Sequence, residues 1–221
     1  MVLLIHHSSS PQSRKMRLIM AEKKMLFVLK EEEPWNLSEN TRLINPAEDL
    51  PILVFDGNVI SGNYAITEYL EESNPQYKLL PENLKERAEA RRIMDWFDTK
   101  FYNEVYKYIV AEKIIKRFHL KQAPNSRILK AGLNNLKYHM EYVEYLADKN
   151  NYLAGKELTM ADLTVAAHLS IIDYLGDIDW DEYKNAKLWY AKIKSRPSFR
   201  DILKDNIRGI HASPHYSNLD F

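Results

Sequence analysis

The sequence predicts a small mixed α/β domain followed by an all-helical domain. Strand-like apolar runs alternate with helical patterns only in the part of the chain before Pro81. Beyond Pro81 the strand signals vanish, and apolar residues recur at helical spacing instead. Only 6 of the 221 residues are glycine, which is a low proportion and favours long helices over a chain rich in turns.

The first domain is predicted to have the element order β-α-β, a connecting segment, and then β-β-α. Ser10 followed by Pro11 is a typical helix start, with serine as the N-cap and proline in the first turn. Asp56-Gly57 predicts a tight turn that joins two antiparallel strands. The four strands are expected in the apolar runs at 2–5, 25–30, 51–55 and 58–60. This order is the one found in thioredoxin-like domains, in which the strand–helix–strand part makes a parallel pair.

The second domain is predicted to contain two long helices and a third, buried helix. Apolar residues recur about every four positions from 93 to 105 and from 129 to 143. Thr159 and Asp162 have the spacing of a capping box, which predicts a helix start there. The helix that follows, to about residue 174, is apolar on most of its faces and is therefore expected at the centre of the domain.

Two more helices are expected near 184–195 and 198–203, and the residues after Ile210 look irregular. The predicted organisation is a thioredoxin-like domain over 1–77, a helical domain over 82–208 and a tail over 209–221.

Composition excludes several classes of function. Lysine and arginine (31) balance aspartate and glutamate (31), so the net charge argues against a protein that coats nucleic acid or is drawn to membranes. The absence of cysteine excludes disulfides, a thiolate nucleophile and an iron–sulfur cluster. No apolar run predicts a membrane span or a signal peptide, so we expect a cytoplasmic protein. The seven histidines show no metal-ligand spacing, so no metal is expected.

One stretch of the second domain is strongly basic. Between Lys113 and Met140 there are seven lysines and arginines and no acid, beginning with Lys113, Lys116 and Arg117. A solvated helix face and a docking surface for an acidic partner both account for this pattern. A local positive field selects the charge of a partner and speeds encounter more than it adds affinity.

Several short motifs together resemble those of the cytosolic glutathione transferase superfamily, over essentially the whole chain. They are Ser10-Pro11 and the helix start after it, Asn45-Pro46, Leu50-Pro51, Asn63-Tyr64-Ala65-Ile66, Thr159-Met160-Ala161-Asp162, and Lys194-Ser195-Arg196-Pro197. The resemblance implies the glutathione transferase fold. It also implies a homodimer in which the first domain of each chain lies against the long helices of the other.

The same resemblance implies a glutathione site at Ser10, Leu50, Pro51 and Asn63. It implies that Pro51 follows a cis peptide bond, and that the backbone of Leu50 binds the cysteinyl part of glutathione. It aligns Ser10 with the residue that donates a hydrogen bond to the thiolate, which the helix dipole also favours. The residues alone leave a second interpretation open, in which Ser10 only caps its helix.

The chain departs from this family pattern at one place. Active members usually carry Glu-Ser where this chain has Gly62-Asn63. The ammonium group of glutathione then loses its counter-charge, and charge-assisted hydrogen bonds contribute roughly 1.5–3 kcal/mol each. We therefore expect glutathione binding to be weak or absent.

A narrower resemblance is to the FtsZ-binding, transferase-fold cell-division proteins of alphaproteobacteria. The residues that carry it include His6-His7, Glu33-Pro34-Trp35, Gly176 to Trp180 and the tail from Pro214 to Phe221. It implies a dimer that binds FtsZ filaments without depending on glutathione, with Trp35 and Asp220 as contacts. The alternative interpretations are that Trp35 packs at the domain interface and that the tail docks over the domain junction.

Two functions from different classes follow. The first is a non-enzymatic dimeric adaptor that binds FtsZ filaments through Trp35, the basic stretch and the tail. The second is an active glutathione transferase that uses Ser10 to stabilise the thiolate, with Leu50, Pro51 and Asn63 binding the tripeptide.

Overall fold

The computed structural model describes residues 2–219, which form a four-stranded sheet with three helices followed by a bundle of helices. The strands are β1 (Val2–His6), β2 (Phe27–Glu31), β3 (Ile52–Phe55) and β4 (Asn58–Ser61). The first three helices are α1 (Pro11–Glu22), α2 (Glu39–Ile44) and α3 (Asn63–Ser73). The bundle contains α4 (Leu84–Asp95), α5 (Lys107–Val110), α6 (Ser126–Lys149), α7 (Met160–Tyr174), α8 (Lys184–Lys194) and α9 (Arg200–Leu203).

The sheet has the order β2-β1-β3-β4, with β1 and β2 parallel and the other two pairs antiparallel. Side chains alternate between the two faces of each strand. Leu4 and Leu53 lie on the same face of the sheet, and both are fully buried in the main core. Asp56 and Gly57 both have positive φ in the turn between β3 and β4, as the Asp-Gly signal predicts. The predicted strands are therefore all present, and the mixed topology of a thioredoxin-like domain is confirmed.

Helix α1 lies between the sheet and the bundle. Its residues Met16, Ile19 and Met20 are fully buried in the core that also holds Leu4 and Leu53. Helix α7 packs against α1 and is buried at every residue from Met160 to Tyr174. The capping box of Thr159 and Asp162 is present at the start of α7, so the central buried helix is confirmed.

The first long helix differs from the prediction in its winding. From α4 the chain continues without a break through a π-helical segment (Trp96–Tyr106), α5 and a second π-helical segment (Ala111–Lys116). Spacing of about four residues does not distinguish α from π winding over so few turns, and π turns concentrate at functional sites. Helix α2 was not predicted, because only Thr41 of its six residues is buried and the segment has no apolar stripe.

Single 3₁₀ turns at Trp180–Glu182 and Pro197–Phe199 flank α8, and no helix or strand follows Leu203 in the described part of the chain. Between residues 2 and 219, none of the helices combines the length and the apolar character that crossing a bilayer requires.

Candidate functional site at the domain junction

The turn between β1 and α1 holds Ser10 in a capping geometry. Its Oγ accepts a hydrogen bond from the backbone N–H of Ser13 (3.2 Å) and donates to Oε1 of Gln12 (3.3 Å). The residue is 7% exposed and has extended backbone angles, as an N-cap requires. The hydroxyl is therefore engaged in stabilising α1, and a ligand sulfur would compete with those bonds.

Two histidines at the end of β1 make polar contacts next to this turn. His6 Nε2 lies 3.2 Å from a carboxylate oxygen of Glu31, and His7 Nδ1 lies 2.7 Å from Ser9 Oγ. Burial lowers the pKa of His6 to about 4, although the Glu31 charge acts to raise it. Burial also lowers the pKa of His7. Both rings are therefore neutral at pH 7 and act as hydrogen-bonding supports for the turn.

The residues that the resemblance assigns to glutathione lie around the start of β3 and the start of α3. The Leu50–Pro51 peptide bond is cis, as the resemblance implied. Gly62 is the N-cap of α3, with φ +87° and no side-chain cap. The Oδ1 atom of Asn63 is buried and has no hydrogen-bond partner among the described residues. An unmet buried acceptor of this kind costs about 1–3 kcal/mol.

This geometry fits glutathione only in part. A φ of +87° is strained for any residue with a side chain, so glycine at position 62 relieves strain that an acid there would carry. Nothing lies within 4 Å of the place where a Cβ of Gly62 would stand, so the space for an acidic side chain is present but is not filled. Asn63 offers an acceptor to an N–H donor, but position 62 offers no charge. The expectation of weak binding stays a prediction.

Trp35 lies in the connection between β2 and α2, half-buried between two histidine rings. Its ring stacks on His119 at 5.5 Å between centroids and meets the edge of His7 at 5.3 Å. Its Nε1 donates to Glu33 (3.1 Å). Because His119 follows the second π-helical segment, Trp35 joins the two units, and its outer face stays accessible. The packing and contact interpretations of Trp35 are therefore compatible.

The three basic residues singled out in the sequence are not equally available. Lys113 Nζ lies 2.5 and 2.7 Å from the carboxylate oxygens of Asp177, and Lys116 Nζ lies 3.0 Å from Glu112 Oε2. Arg117 is exposed, with its guanidinium 5.3 Å from the Phe118 ring centroid. The positive field of Lys113 and Lys116 is thus largely neutralised within the chain, while that of Arg117 faces solvent.

The tail is docked on the bundle through residue 216. Ser213 Oγ donates to the carbonyl of Asp173 (2.8 Å), and His215 Nε2 lies 2.8 Å from the Asp173 carboxylate. Tyr216 is 1% exposed, and its hydroxyl accepts from a guanidinium of α1 at 3.1 Å. This part of the tail covers the domain junction. Asp220, the predicted contact, lies outside the described residues.

A cavity of about 740 Å³ opens between the two units. Its first-unit wall contains His7, Glu31, Glu33 and Trp35, and its second-unit wall contains Ile114, Phe118, His119, Lys121 and residues 204–208. Of the predicted site residues that the structure describes, Trp35 alone lines it. Lys121 also lines the cavity and belongs to the basic stretch, whereas Phe118 and Arg208 were missed as site residues, because they are far apart in sequence and belong to no motif.

Two family models match the chain: "Glutathione S-transferase, N-terminal domain" over residues 9–73 and "Glutathione S-transferase, C-terminal domain" over residues 110–205. Among curated proteins, FtsZ-localized protein A from Caulobacter vibrioides is 40% identical, over 99% of this chain and 97% of that protein.

Solved structures agree with these matches over the full length. A glutathione S-transferase from Rhodospirillum rubrum superposes with a TM-score of 0.97 and is 45% identical, with 100% of both chains covered. FzlA from C. crescentus superposes with a TM-score of 0.96 at 40% identity, covering 100% of this chain and 99% of that one. With its mixed sheet, cis Leu50–Pro51 bond and buried α7, the chain belongs to the glutathione S-transferase family.

Proposed function

We propose that this protein is a dimeric, non-enzymatic adaptor that binds FtsZ filaments in cell division. The observation that carries the proposal is the 40% identity to FtsZ-localized protein A along nearly the whole of both chains, tail included. A tryptophan at the mouth of an interdomain cavity supports it, because large aromatic side chains are frequent anchors of protein interfaces.

The site geometry supports an activity that does not depend on glutathione. Ser10 is occupied as a helix cap, and Gly62 supplies no carboxylate for the amino end of the tripeptide. Loss of one such charge-assisted hydrogen bond lowers the affinity for the tripeptide about tenfold to a hundredfold. An adaptor retains the scaffold and its dimer while tolerating this loss.

For the homodimer we propose a surface on each unit. Tyr64 of α3 is 66% exposed and Val59 of β4 is 42% exposed, which are high values for apolar side chains. On the bundle, Trp96 stacks with Tyr138, which is itself 53% exposed, to form an aromatic surface cluster. Contiguous exposed apolar surface marks interaction sites. We place the α3/β4 surface of one copy against the aromatic cluster of the other.

The experiment is co-sedimentation with purified FtsZ filaments. The Trp35→Ala variant is expected to lose most of its pelleted fraction, and so is Asp220→Lys, while both remain dimers by light scattering. The matched control is Leu188→Ala, which truncates a side chain that is 71% exposed on α8, away from the cavity. If both variants pellet as the parent does, these contacts are wrong.

An active transferase is the second candidate function. It is favoured by the unpaired Asn63 Oδ1, which leaves an acceptor ready for a ligand N–H, and by the position of Ser10 at the N-terminus of α1. There the hydroxyl and the helix dipole would lower the pKa of a thiol. Conjugation of glutathione to a standard electrophile should then drop in Ser10→Ala. An unchanged rate would remove Ser10 from the mechanism.

A further inference from the structure

We propose that the cavity between Trp35 and Phe118 binds an acidic peptide segment that carries apolar side chains. The proposal rests on the proposed function in one respect, because we expect the segment to belong to the filament partner. It adds the chemistry of that segment and assigns Lys121 and Arg208 as the residues that recognise it.

Within a mostly polar lining, the cavity has a small apolar part that can receive side chains from a peptide. Its volume is about 740 Å³, and it is bounded by Trp35, Ile114, Phe118 and Ile207. Ile114 and Ile207 are 2% and 4% exposed, so they form a floor that is packed from behind. Burying one leucine or phenylalanine side chain in such a place favours binding, because apolar surface leaves water.

Two cations at the mouth are left without partners. Lys121 and Arg208 are both exposed and line the cavity, and neither has an ion pair or a hydrogen bond to another residue within 2–219. This distinguishes them from Lys113 and Lys116, whose charges are met by Asp177 and Glu112. Lys121 and Arg208 are therefore the cations at the mouth that contact no acid among the described residues.

The three acids that line the cavity already accept hydrogen bonds from the chain. Glu31 accepts from the backbone N–H of Ser8 (2.8 Å) and faces His6 at 3.2 Å, and Glu33 accepts from Trp35. Asp205 is held by two hydrogen bonds from Arg17, at 2.8 and 2.9 Å. These carboxylates already accept hydrogen bonds from the chain, whereas the side chains of Lys121 and Arg208 contact no acceptor among residues 2–219, so an anionic segment can form contacts that the described residues leave unmade.

The turn at Gly209 packs closely on the Phe118 ring. Gly209 has φ +79°, and a Cβ at this position would lie 2.5 Å from Cε1 of Phe118. Only glycine allows this turn to approach the ring so closely. Arg208 therefore lies next to a turn that packs on Phe118 at the cavity wall.

The mixed charge of the mouth selects a peptide over a nucleic acid. Glu31 and Glu33 would repel a continuous run of phosphates that passed across the mouth, and such a run needs several cations along its path. Separate carboxylates on a flexible segment can contact Lys121 and Arg208 while avoiding the acidic wall. Apolar residues between them can then enter the cavity.

The test measures the fluorescence anisotropy of a labelled peptide in which aspartates alternate with leucine and phenylalanine, titrated with the full chain. A peptide with asparagine in place of each aspartate is the ligand control. The variants are Lys121→Glu and Arg208→Glu. The matched protein control is Lys130→Glu, which makes the same charge change in the same basic stretch, on a residue that does not line the cavity.

We expect the acidic peptide to bind the parent and Lys130→Glu equally, and each of the other variants about fivefold to tenfold more weakly. We also expect binding to weaken as salt is added. Equal binding of the two peptides, equal binding by all variants, or no binding by the parent would overturn the proposal.

Co-sedimentation of the same variants with FtsZ filaments separates the two proposals. Binding of the peptide can depend on Lys121 and Arg208 while the parent protein does not pellet with FtsZ filaments. In that case the cavity assignment stands and the adaptor function is wrong. If FtsZ pellets every variant equally, the adaptor function stands and the cavity assignment is wrong.

Discussion

Replacing Lys15 by methionine should weaken the junction between the two units more than any comparable change at the surface. Lys15 of α1 places its Nζ 2.6 Å from Oδ2 of Asp98 in the first π-helical segment. Its side chain is 1% exposed and that of Asp98 is 13% exposed. His168 of α7 approaches the other carboxylate oxygen at 3.1 Å, so the carboxylate joins three elements.

The magnitude follows from what the change leaves behind. Burial acts to raise the pKa of Asp98, but the Lys15 charge and the hydrogen bond from His168 outweigh it and lower the pKa. Methionine fills a similar volume and removes the charge, so an uncompensated buried carboxylate remains. Removing one partner of a buried ion pair costs about 3–5 kcal/mol. An exposed pair is worth only about 0–1 kcal/mol.

The assay is equilibrium urea unfolding at pH 7 and at one protein concentration, because the stability of the proposed dimer would depend on concentration. The control is Lys78→Met, whose pair with Glu82 is 53% and 78% exposed. The Lys15→Met/Asp98→Asn double variant should recover part of the loss, because it removes the buried charge as well. If Lys15→Met costs no more than Lys78→Met, the junction does not depend on this pair.

Three further predictions concern the site and the central helix. The pKa of His6 is lowered from 6.5 to about 4, so the unfolded chain binds more protons between these values. The free energy of unfolding should therefore fall as the pH drops from 6.5 to 4, by on the order of 3 kcal/mol, with a shallower slope in His6→Gln; equal slopes would contradict this. Isothermal titration should show glutathione binding weaker than micromolar, tightened roughly tenfold by Gly62→Glu; a micromolar dissociation constant for the parent would refute the weak-binding prediction. Thr159→Ala should cost about 1 kcal/mol of stability in urea unfolding while Thr159→Ser costs little, and equal losses would argue against the capping role.

In the proposed function, the interdomain region of a transferase scaffold binds a protein. The cap on α1, the support from His6 and the missing acid at position 62 bear on whether glutathione binds. A second set of residues lines the cavity and is proposed to bind the protein partner: Trp35, Phe118, Lys121 and Arg208. The two sets of residues are distinct, so variants in one set test its proposal without removing the other.

Much of the fold followed from local signals. The strands, the start of α1 at Ser10-Pro11 and the capping box at Thr159 depend on residues that are neighbours in sequence, and all are present in the structure. The family motifs identified the scaffold for the same reason, because each is a short segment with its own backbone requirement. Helix α2 was not predicted from the sequence, because its main contacts are polar and leave no apolar pattern. These contacts are chiefly those of Thr41 with Glu32 and Ser38.

The sequence by itself determined the two-unit fold, the family and the missing acid at position 62, because periodicity, capping residues and motifs are properties of neighbouring positions. Only the tertiary structure decided which charges are paired: Lys113 and Lys116 meet acids within the chain, whereas Lys121 and Arg208 meet none among residues 2–219. It also brought Trp35 and His119 into contact across the junction. Pairing and cavity formation depend on distances between segments remote in sequence, which are set only when α1 packs on α7.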